Sequence, residues 1–343
     1  NIRFTRQGII RAIGLVILSL LLPLAISSCG GGGGGGNSTL PAIVVNSLDD
    51  IAVPPDGTET LRSALASAAS GQRIIFDETL NGGTINLLIV GEEHTVLTGE
   101  VMGFDNVNNI SYLIGYYDRD YGKSALYAAK NVVIDASELA EGITIRWFGL
   151  NTARVLAVSG DLTLKNVVIT GGNSIYDVAA DVGQHPDDNQ TSTLARGGGI
   201  AVWGVADLSD CVIYDNHVVG DDTDTSRDGG AYGGGVYADT VVMDNCIVSG
   251  NTVNGGGAAG GGVFSVGGRD TRLNVSSITQ SSITENRITG IFAYGGGVYS
   301  DGGGIGLATR SHVENSTIAR TLVEPPVLPL FLLDIGYWRG GGL

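Results

Sequence analysis

One short segment of this chain returns along its length at a near-constant interval. Lys130-Asn131-Val132-Val133-Ile134 recurs as Lys165-Asn166-Val167-Val168-Ile169. The same frame comes back as Asp210-Cys211-Val212-Ile213, Asn245-Cys246-Ile247-Val248, Gln280-Ser281-Ser282-Ile283 and Asn315-Ser316-Thr317-Ile318. Counted from Asn131 through Asn166, Asp210, Asn245 and Gln280 to Asn315, the intervals are 35, 44, 35, 35 and 35 residues. A sustained period of this size demands stacked units, because one repeat cannot bury its own apolar face. Within each repeat the runs are short, rich in Val and Ile, and punctuated by Gly and Asn. That composition predicts strands and tight corners rather than helices. Each repeat is therefore read as one coil of an all-β, parallel solenoid.

Residues 233–251 show the frame of one coil. Gly233-Gly234-Gly235-Val236-Tyr237 opens a first strand ending near Ala238. Thr240 to Asp244 is a second, with Val241 and Met243 on one face. Asn245 interrupts, Cys246 to Ser249 is a third, and Asn251 closes the coil. Stacking coils at the ordinary strand spacing of about 4.8 Å turns equivalent positions into columns. Leu208, Met243, Ile278 and Val313 form one apolar column. Ile134, Ile169, Ile213, Val248, Ile283 and Ile318 form another, and both are assigned to the interior. Cys211, Cys246, Ser281 and Ser316 are small and point inward by parity. Two polar columns are assigned to corners: Asn131, Asn166, Asp210, Asn245, Gln280 and Asn315, and then Asn216, Asn251 and Asn286. Asn tolerates the left-handed backbone of a corner, and stacked amides can bond one coil to the next. The Gly-Gly-Gly-[Ile/Val] openings at 197, 233, 260 and 295 lack the helix and Lys of a phosphate loop.

The 343 residues carry 35 acids against 19 Lys and Arg, a formal charge of −16. No basic patch is present, which excludes nucleic acid as the expected partner. Residues 1–29 read as a lipoprotein-type signal peptide. Arg3, Arg6 and Arg11 precede an apolar stretch from Ile9 to Ile26, and Ile26-Ser27-Ser28-Cys29 matches a lipobox with Cys29 as the lipidated residue. An ordinary secretory signal or a single membrane anchor is the competing reading. Residues 30–42 are a Gly-rich tether. Gly30, not Asp, follows Cys29, which in enteric-type sorting directs a lipoprotein to the outer membrane. Cys211 and Cys246 share an inward column in adjacent coils, so either a disulfide or stacked free thiols fit. The chain starts with Asn1 rather than Met, and Arg339-Gly340-Gly341-Gly342-Leu343 repeats Arg196-Gly197-Gly198-Gly199-Ile200. A fragment cut as a further coil opens is the expectation.

Residues 43–87 read as an N-terminal cap that shields the end of the solenoid. Asp56 with Glu59 is expected to box a short helix over 57–69, with Leu61, Leu65 and Ala68 as its apolar stripe. Gly71-Gln72-Arg73-Ile74-Ile75-Phe76-Asp77 and Gly83-Thr84-Ile85-Asn86-Leu87 then start the coils, which run over 88–320. Thr60-Leu61-Arg62-Ser63-Ala64-Leu65 followed by Gly71 to Asp77 resembles the N-terminal segment of bacterial surface β-helix proteins of the CSLREA and choice-of-anchor type. The Gly-Gly-Gly-[Ile/Val] elements and the pairs Ile213/Asn216, Val248/Asn251 and Ile283/Asn286 resemble repeats of polymorphic outer membrane proteins. The resemblance implies a right-handed parallel β-helix, a pectin-lyase-like solenoid, exported to the cell surface; the lipobox adds the expectation of a membrane anchor through lipid.

Function in such a rod is expected on loops that leave the coil: 172–196, 217–232, 252–259 and 287–294. Asp222, Asp224 and Asp228, with Ser226 between them, offer oxygens at alternate positions, as calcium requires. The segment lacks the Gly and Glu of an EF-hand loop, and a solvated acidic loop is the plainer reading. Asp187, Asp188, Asp221 and Arg227 are candidate ligand-binding residues on neighbouring coils. The expected function is adhesion or ligand binding, with an extracellular or host glycan or protein as partner. The alternative is a polysaccharide lyase or glycoside hydrolase, since enzymes of both kinds use this fold. Hydrolases of this type need two or three carboxylates on adjacent coils, and here Asp215 has only Gly171 and Gly250 as column neighbours. Residues 321–343 read as an irregular apolar insertion, Val323 to Trp338 with Pro325, Pro326 and Pro329, followed by the start of another coil.

Overall fold

The computed structural model describes residues 40–91, 95–105, 110–119, 123–175, 195–220, 230–266, 275–290, 292–300, 310–314, 317–319, 322–324 and 338–339. All belong to one compact unit beginning at Asn37. The fold is predominantly β. Among the described residues, every strand pair apart from one hairpin is parallel and joins equivalent strands of successive coils, which is the arrangement of a β-helix-like solenoid.

A 12-stranded sheet and a seven-stranded sheet enclose the main core. In the first, Ile74, Ile134, Leu164, Leu208, Met243 and Ile278 stand in register, and all are buried. In the second, the buried column runs Ile85, Ile145, Ile169, Ile213, Val248 and Ile283, with Ile318 packed on its end. A third column of Leu126, Leu156, Ile200, Val236 and Val263 faces the same core. The two strands expected at 236–238 and 240–244 are one continuous strand, Val236–Asp244. The preceding coil has the matching strand Ile200–Ser209, and the register slips between Val202 and Val205. This irregularity falls opposite Ala238 and Thr240, where the sequence suggested two separate strands.

The corners are backbone devices. Asn166, Asp210, Asn245 and Gln280 have φ between 50 and 55°, the left-handed region that Asn and Asp tolerate best. Just inside the second corner, Asn216, Asn251 and Asn286 form a buried amide ladder. Asn216 Nδ2 donates to Asn251 Oδ1, and Asn251 Nδ2 to Asn286 Oδ1, both at 3.0 Å. The same oxygens accept the backbone N–H groups of Asn216 and Asn251. Cys211 and Cys246 are buried free thiols, and the Cys211 N–H donates to Cys246 Sγ at 3.4 Å. The shared hydrogen bond with Cys246, together with burial, pushes the Cys211 thiol well above its ordinary range.

The structure corrects three expectations. First, Lys130–Ile134 does not share the frame of Lys165–Ile169. Ile134 pairs with Leu164 in the first sheet, and the true partner of Ile169 is Ile145. A turn over 136–142 separates the two strands of that coil, with Ser137 bonded to Asp135 and Leu139 buried. Asn131 is accordingly not a left-handed corner; its Oδ1 accepts the Asp161 N–H. Second, the cap helix is Leu61–Ser67, and its capping box is Thr60 with Ser63, not Asp56 with Glu59. The Ser63 hydroxyl donates to Glu59 Oε1 at 2.8 Å, so Glu59 braces the box from outside it.

Third, the expected loops 252–259 and 287–294 are largely strand, as are the described ends of 172–196 and 217–232. His217–Val219, Thr252–Asn254 and Arg287–Thr289 belong to one five-stranded parallel sheet; Gly230–Tyr232, Gly257–Ala259 and Phe292–Tyr294 belong to another. Each coil thus carries a two-armed lobe. The arms enclose a second, smaller core of Val218, Val253 and Ile288 against Ala195, Ala231, Ala258 and Ala293. Leu322–Glu324 and Trp338–Arg339 occupy the two lobe positions of the next coil, so the ends of the apolar run from Val323 to Trp338 keep the period. Where the lobe meets the first sheet, Tyr237, Phe264 and Tyr299 stack at centroid spacings of 5.4 Å. The rings cover one another and knit three coils together.

Candidate functional site

The outward face of the seven-stranded sheet is a band three or four residues wide, about 10 Å by strand geometry. Inward Ile213, Val248 and Ile283 alternate with outward side chains. Val212, Ile247 and Ser282 form one outward column; Tyr214, Ser249 and Thr284 form the other. Ile247 is 45% exposed, a large aliphatic group left on an outer face. A cleft borders the band at each end.

The first cleft, about 390 Å³, lies where the band turns into the lobe. One wall is the turn after the strand Ile143–Trp147. Trp147 is buried, and its Nε1 donates to the Asn151 carbonyl at 2.8 Å, which fixes that turn. Phe148 and Leu150 project from it, 56% and 106% exposed. The Arg146 guanidinium stands 4.8 Å from the Phe148 ring centroid and orients the ring. The other wall holds Asp215 and His217. Asp215 sits in a left-handed corner column with Gly171, Gly250 and Glu285. A Cβ on Gly250 would lie 2.8 Å from Asp215 Oδ1, so the missing side chain leaves room for the carboxylate. His217 Nδ1 is 2.6 Å from Thr252 Oγ1 of the next coil, which holds the imidazole in place. An exposed aromatic face opposite a carboxylate and an imidazole suits a ligand with one apolar face and several hydroxyls.

The second cleft, about 730 Å³, follows the corner at the other border past Asn166, Asp210, Asn245 and Gln280. Asn245 Nδ2 donates to Asp210 Oδ1 at 2.6 Å. The cleft therefore offers polar side chains once per coil along the direction of stacking.

The candidates named from sequence fall elsewhere. Asp222, Asp224 and Asp228, together with Asp187, Asp188, Asp221, Arg227 and Cys29, lie outside the described residues. The bases of the two acidic segments are described and are adjacent: Ile175 pairs with Val219, and Ala195 with Ala231. Among the described residues, no group of three or more His, Cys, Asp or Glu is placed to hold a metal ion. Among them, no helix is long and apolar enough to cross a membrane. Phe148 and Leu150 were not legible as site residues, because an apolar pair after a strand reads as core until its exposure is known. No family model matches the chain, and neither does any curated protein or solved structure.

Proposed function

We propose that this protein is an exported, surface-anchored, right-handed β-helix rod that binds an extended glycan along the seven-stranded face. The observation that carries the reading is the first cleft, with Phe148 presented as a stacking platform opposite Asp215 and His217. Sugar rings stack on aromatic faces through their C–H groups, while their hydroxyls need a few fixed polar partners. The band continues from this cleft to the polar corner, so a polymer can span both. The resemblance of residues 60–77 to CSLREA-type surface proteins, and the lipobox at Cys29, support export and anchoring. The test is calorimetry of residues 37–343 against a panel of neutral and acidic polysaccharides. Phe148→Ala is expected to weaken the best ligand roughly tenfold or more, as for an aromatic anchor. Binding indifferent to both Phe148→Ala and Asp215→Ala would remove the cleft from the account.

A second reading, cleavage of the bound glycan, is favoured by Asp215 in the same cleft. The next acid in its column, Glu285, is two coils away, about 10 Å at the backbone by strand spacing. Carboxyls of inverting glycosidases stand roughly 6.5–9.5 Å apart, so the pair sits at the edge of that range. Release of reducing ends that vanishes in Asp215→Asn would establish it. Calcium enters through Asp222, Asp224 and Asp228: a thermal midpoint raised by calcium and insensitive to it in Asp222→Ala would place the ion there.

A further inference from the structure

Beyond Cys29 the chain has two cysteines, and they stand at the same position of adjacent coils, 35 residues apart. Cys211 and Cys246 each precede a strand of the seven-stranded sheet. Those strands pair in register, Val212 with Ile247, and the Ile247 N–H donates to the Cys211 carbonyl at 2.8 Å. The two backbones are therefore one strand spacing apart, about 4.8 Å. That lies inside the Cα separation a disulfide accepts, roughly 4.4–6.8 Å. Both side chains point inward, since residues in register share a face. The Cys211 N–H donates to Cys246 Sγ at 3.4 Å, and the two thiols share a hydrogen bond. Ser281 takes the next rung, so sulfur faces sulfur at this pair alone.

The hydrogen bonds make the two thiols unequal. The bond from the Cys211 thiol, with help from the Cys211 N–H, holds Cys246 below its ordinary range against the effect of burial. The same bond pushes Cys211 up. Cys246 is thus the nucleophile and Cys211 the proton-bearing neighbour. Both are buried, and both line the second cleft, about 730 Å³. Burial keeps bulky thiol reagents out, whereas hydrogen peroxide is little larger than water. We propose that the pair is a redox site: a hydroperoxide oxidises Cys246, and Cys211 then closes a disulfide that staples the two coils. The Cys246 sulfur attacks one peroxide oxygen. An S–O bond forms as the O–O bond breaks, and the departing oxygen takes up a proton to leave as water or an alcohol. Cys246 is then a sulfenic acid. Cys211 Sγ attacks that sulfur; the S–S bond forms, the S–O bond breaks, and hydroxide leaves with the Cys211 proton as water. Two electrons pass from the thiols to the peroxide. Oxidation strands neither of the nearest acceptors. Cys211 Sγ donates to the Ser209 carbonyl and Cys246 Sγ to the Asp244 carbonyl, but these carbonyls also accept the N–H groups of Asn166 and Asp210.

The test uses residues 37–343, which contain no other cysteine. The reduced protein is treated with hydrogen peroxide, quenched with catalase and unfolded, and its free thiols are counted. The count is expected to fall from two to none, and a reductant to restore both. Peptide mapping without reductant is expected to join the Cys211 and Cys246 peptides. Two single variants separate the roles. Cys211→Ser is expected to leave Cys246 as a sulfenic acid that dimedone captures. Cys246→Ser, which copies the Ser281 rung, is expected to leave Cys211 unreacted. The disulfide closes a 35-residue loop, so the thermal midpoint of the oxidised protein is expected to rise by several degrees, and the rise to vanish in either variant. Two thiols that survive peroxide overturn the proposal, as does sulfinic acid formed in place of the disulfide or a disulfide between chains. Dimedone capture at Cys211 in the Cys246→Ser protein overturns the assigned order of attack. A midpoint unmoved by oxidation overturns the staple.

Discussion

At the scale of single residues, stability rests on side chains that act identically in every coil. Asn251 is the middle rung of the amide ladder. Its Oδ1 accepts from Asn216 N and Nδ2, and its Nδ2 donates to the Ile213 carbonyl and to Asn286 Oδ1. Asn251→Ala leaves the Asn216 N–H and the Ile213 carbonyl buried without these partners. At about 1–3 kcal/mol for each orphaned buried group, a loss of roughly 3 kcal/mol is expected in denaturant unfolding. Unchanged stability would mean that water replaces the rung. The neighbouring inward column predicts the opposite outcome. Cys246 Sγ donates to the Asp244 carbonyl and accepts from the Cys211 N–H; Ser281 Oγ makes the equivalent pair with Thr279 and Cys246. Cys246→Ser therefore copies a rung that already exists and is expected to cost less than about 1 kcal/mol. A larger loss would show that the sulfur's volume, not its hydrogen bonds, sets the corner.

Among the elements, the cap helix is held by one arginine. Arg62 bonds Asp50 through Nε at 2.6 Å and Nη2 at 3.1 Å, and it donates to the carbonyls of Ala125 and Ile89. Asp50 in turn accepts the N–H groups of Leu88 and Ile89. The helix is thereby fastened to the chain on both sides of the hairpin. Removing one partner of a buried pair typically costs 3–5 kcal/mol, and Arg62 is itself partly exposed, so Arg62→Ala is expected to cost about 3 kcal/mol. A midpoint unaffected by the change would assign cap attachment to Leu61 and Leu65 instead. The sequence resemblance at Thr60–Leu65 marked this arginine without revealing its work. The lobe was illegible for a related reason. Its strands are only two or three residues long, and one arm presents Ala195, Ala231, Ala258 and Ala293, which among glycines read as loop. The other arm carried a usable signal: Val218, Val253 and Ile288 each follow the Asn column by two residues, at the 35-residue period. Period-2 alternation across a corner marks this arm as strand.

For the whole molecule, a solenoid distributes stability between neighbouring coils, so groups that span several coils matter most. The period made the stacking legible from Asn166 onward, where every coil uses the same corners. It misled at Ile134, because two stretches of similar sequence occupy different sheets when a turn intervenes. The clefts could not be read at all, since a cleft is a property of where a corner column and a turn face one another. Asp135 tests the multi-coil view. It is buried, lies 3.1 Å from Arg73 Nη2 and 3.8 Å from Lys165 Nζ, and so joins three successive rungs of the first sheet. Burial alone would raise its pKa. The hydrogen bonds from Ser137 and the charges of Lys165 and Arg73 outweigh burial and hold the carboxyl below its usual 3.8. A group whose pKa is depressed on folding contributes stability above its unfolded pKa and loses it as pH falls through the folded value. The contribution is therefore complete at neutral pH and disappears below about pH 3.8. Asp135→Asn keeps the shape and removes the charge. The variant is expected to melt lower than the unaltered protein at neutral pH, with the two midpoints converging as pH drops through that window. Parallel midpoint curves down to the acid limit would show that the ion pairs across the coils contribute nothing, leaving apolar stacking and the amide ladder to hold the coils together.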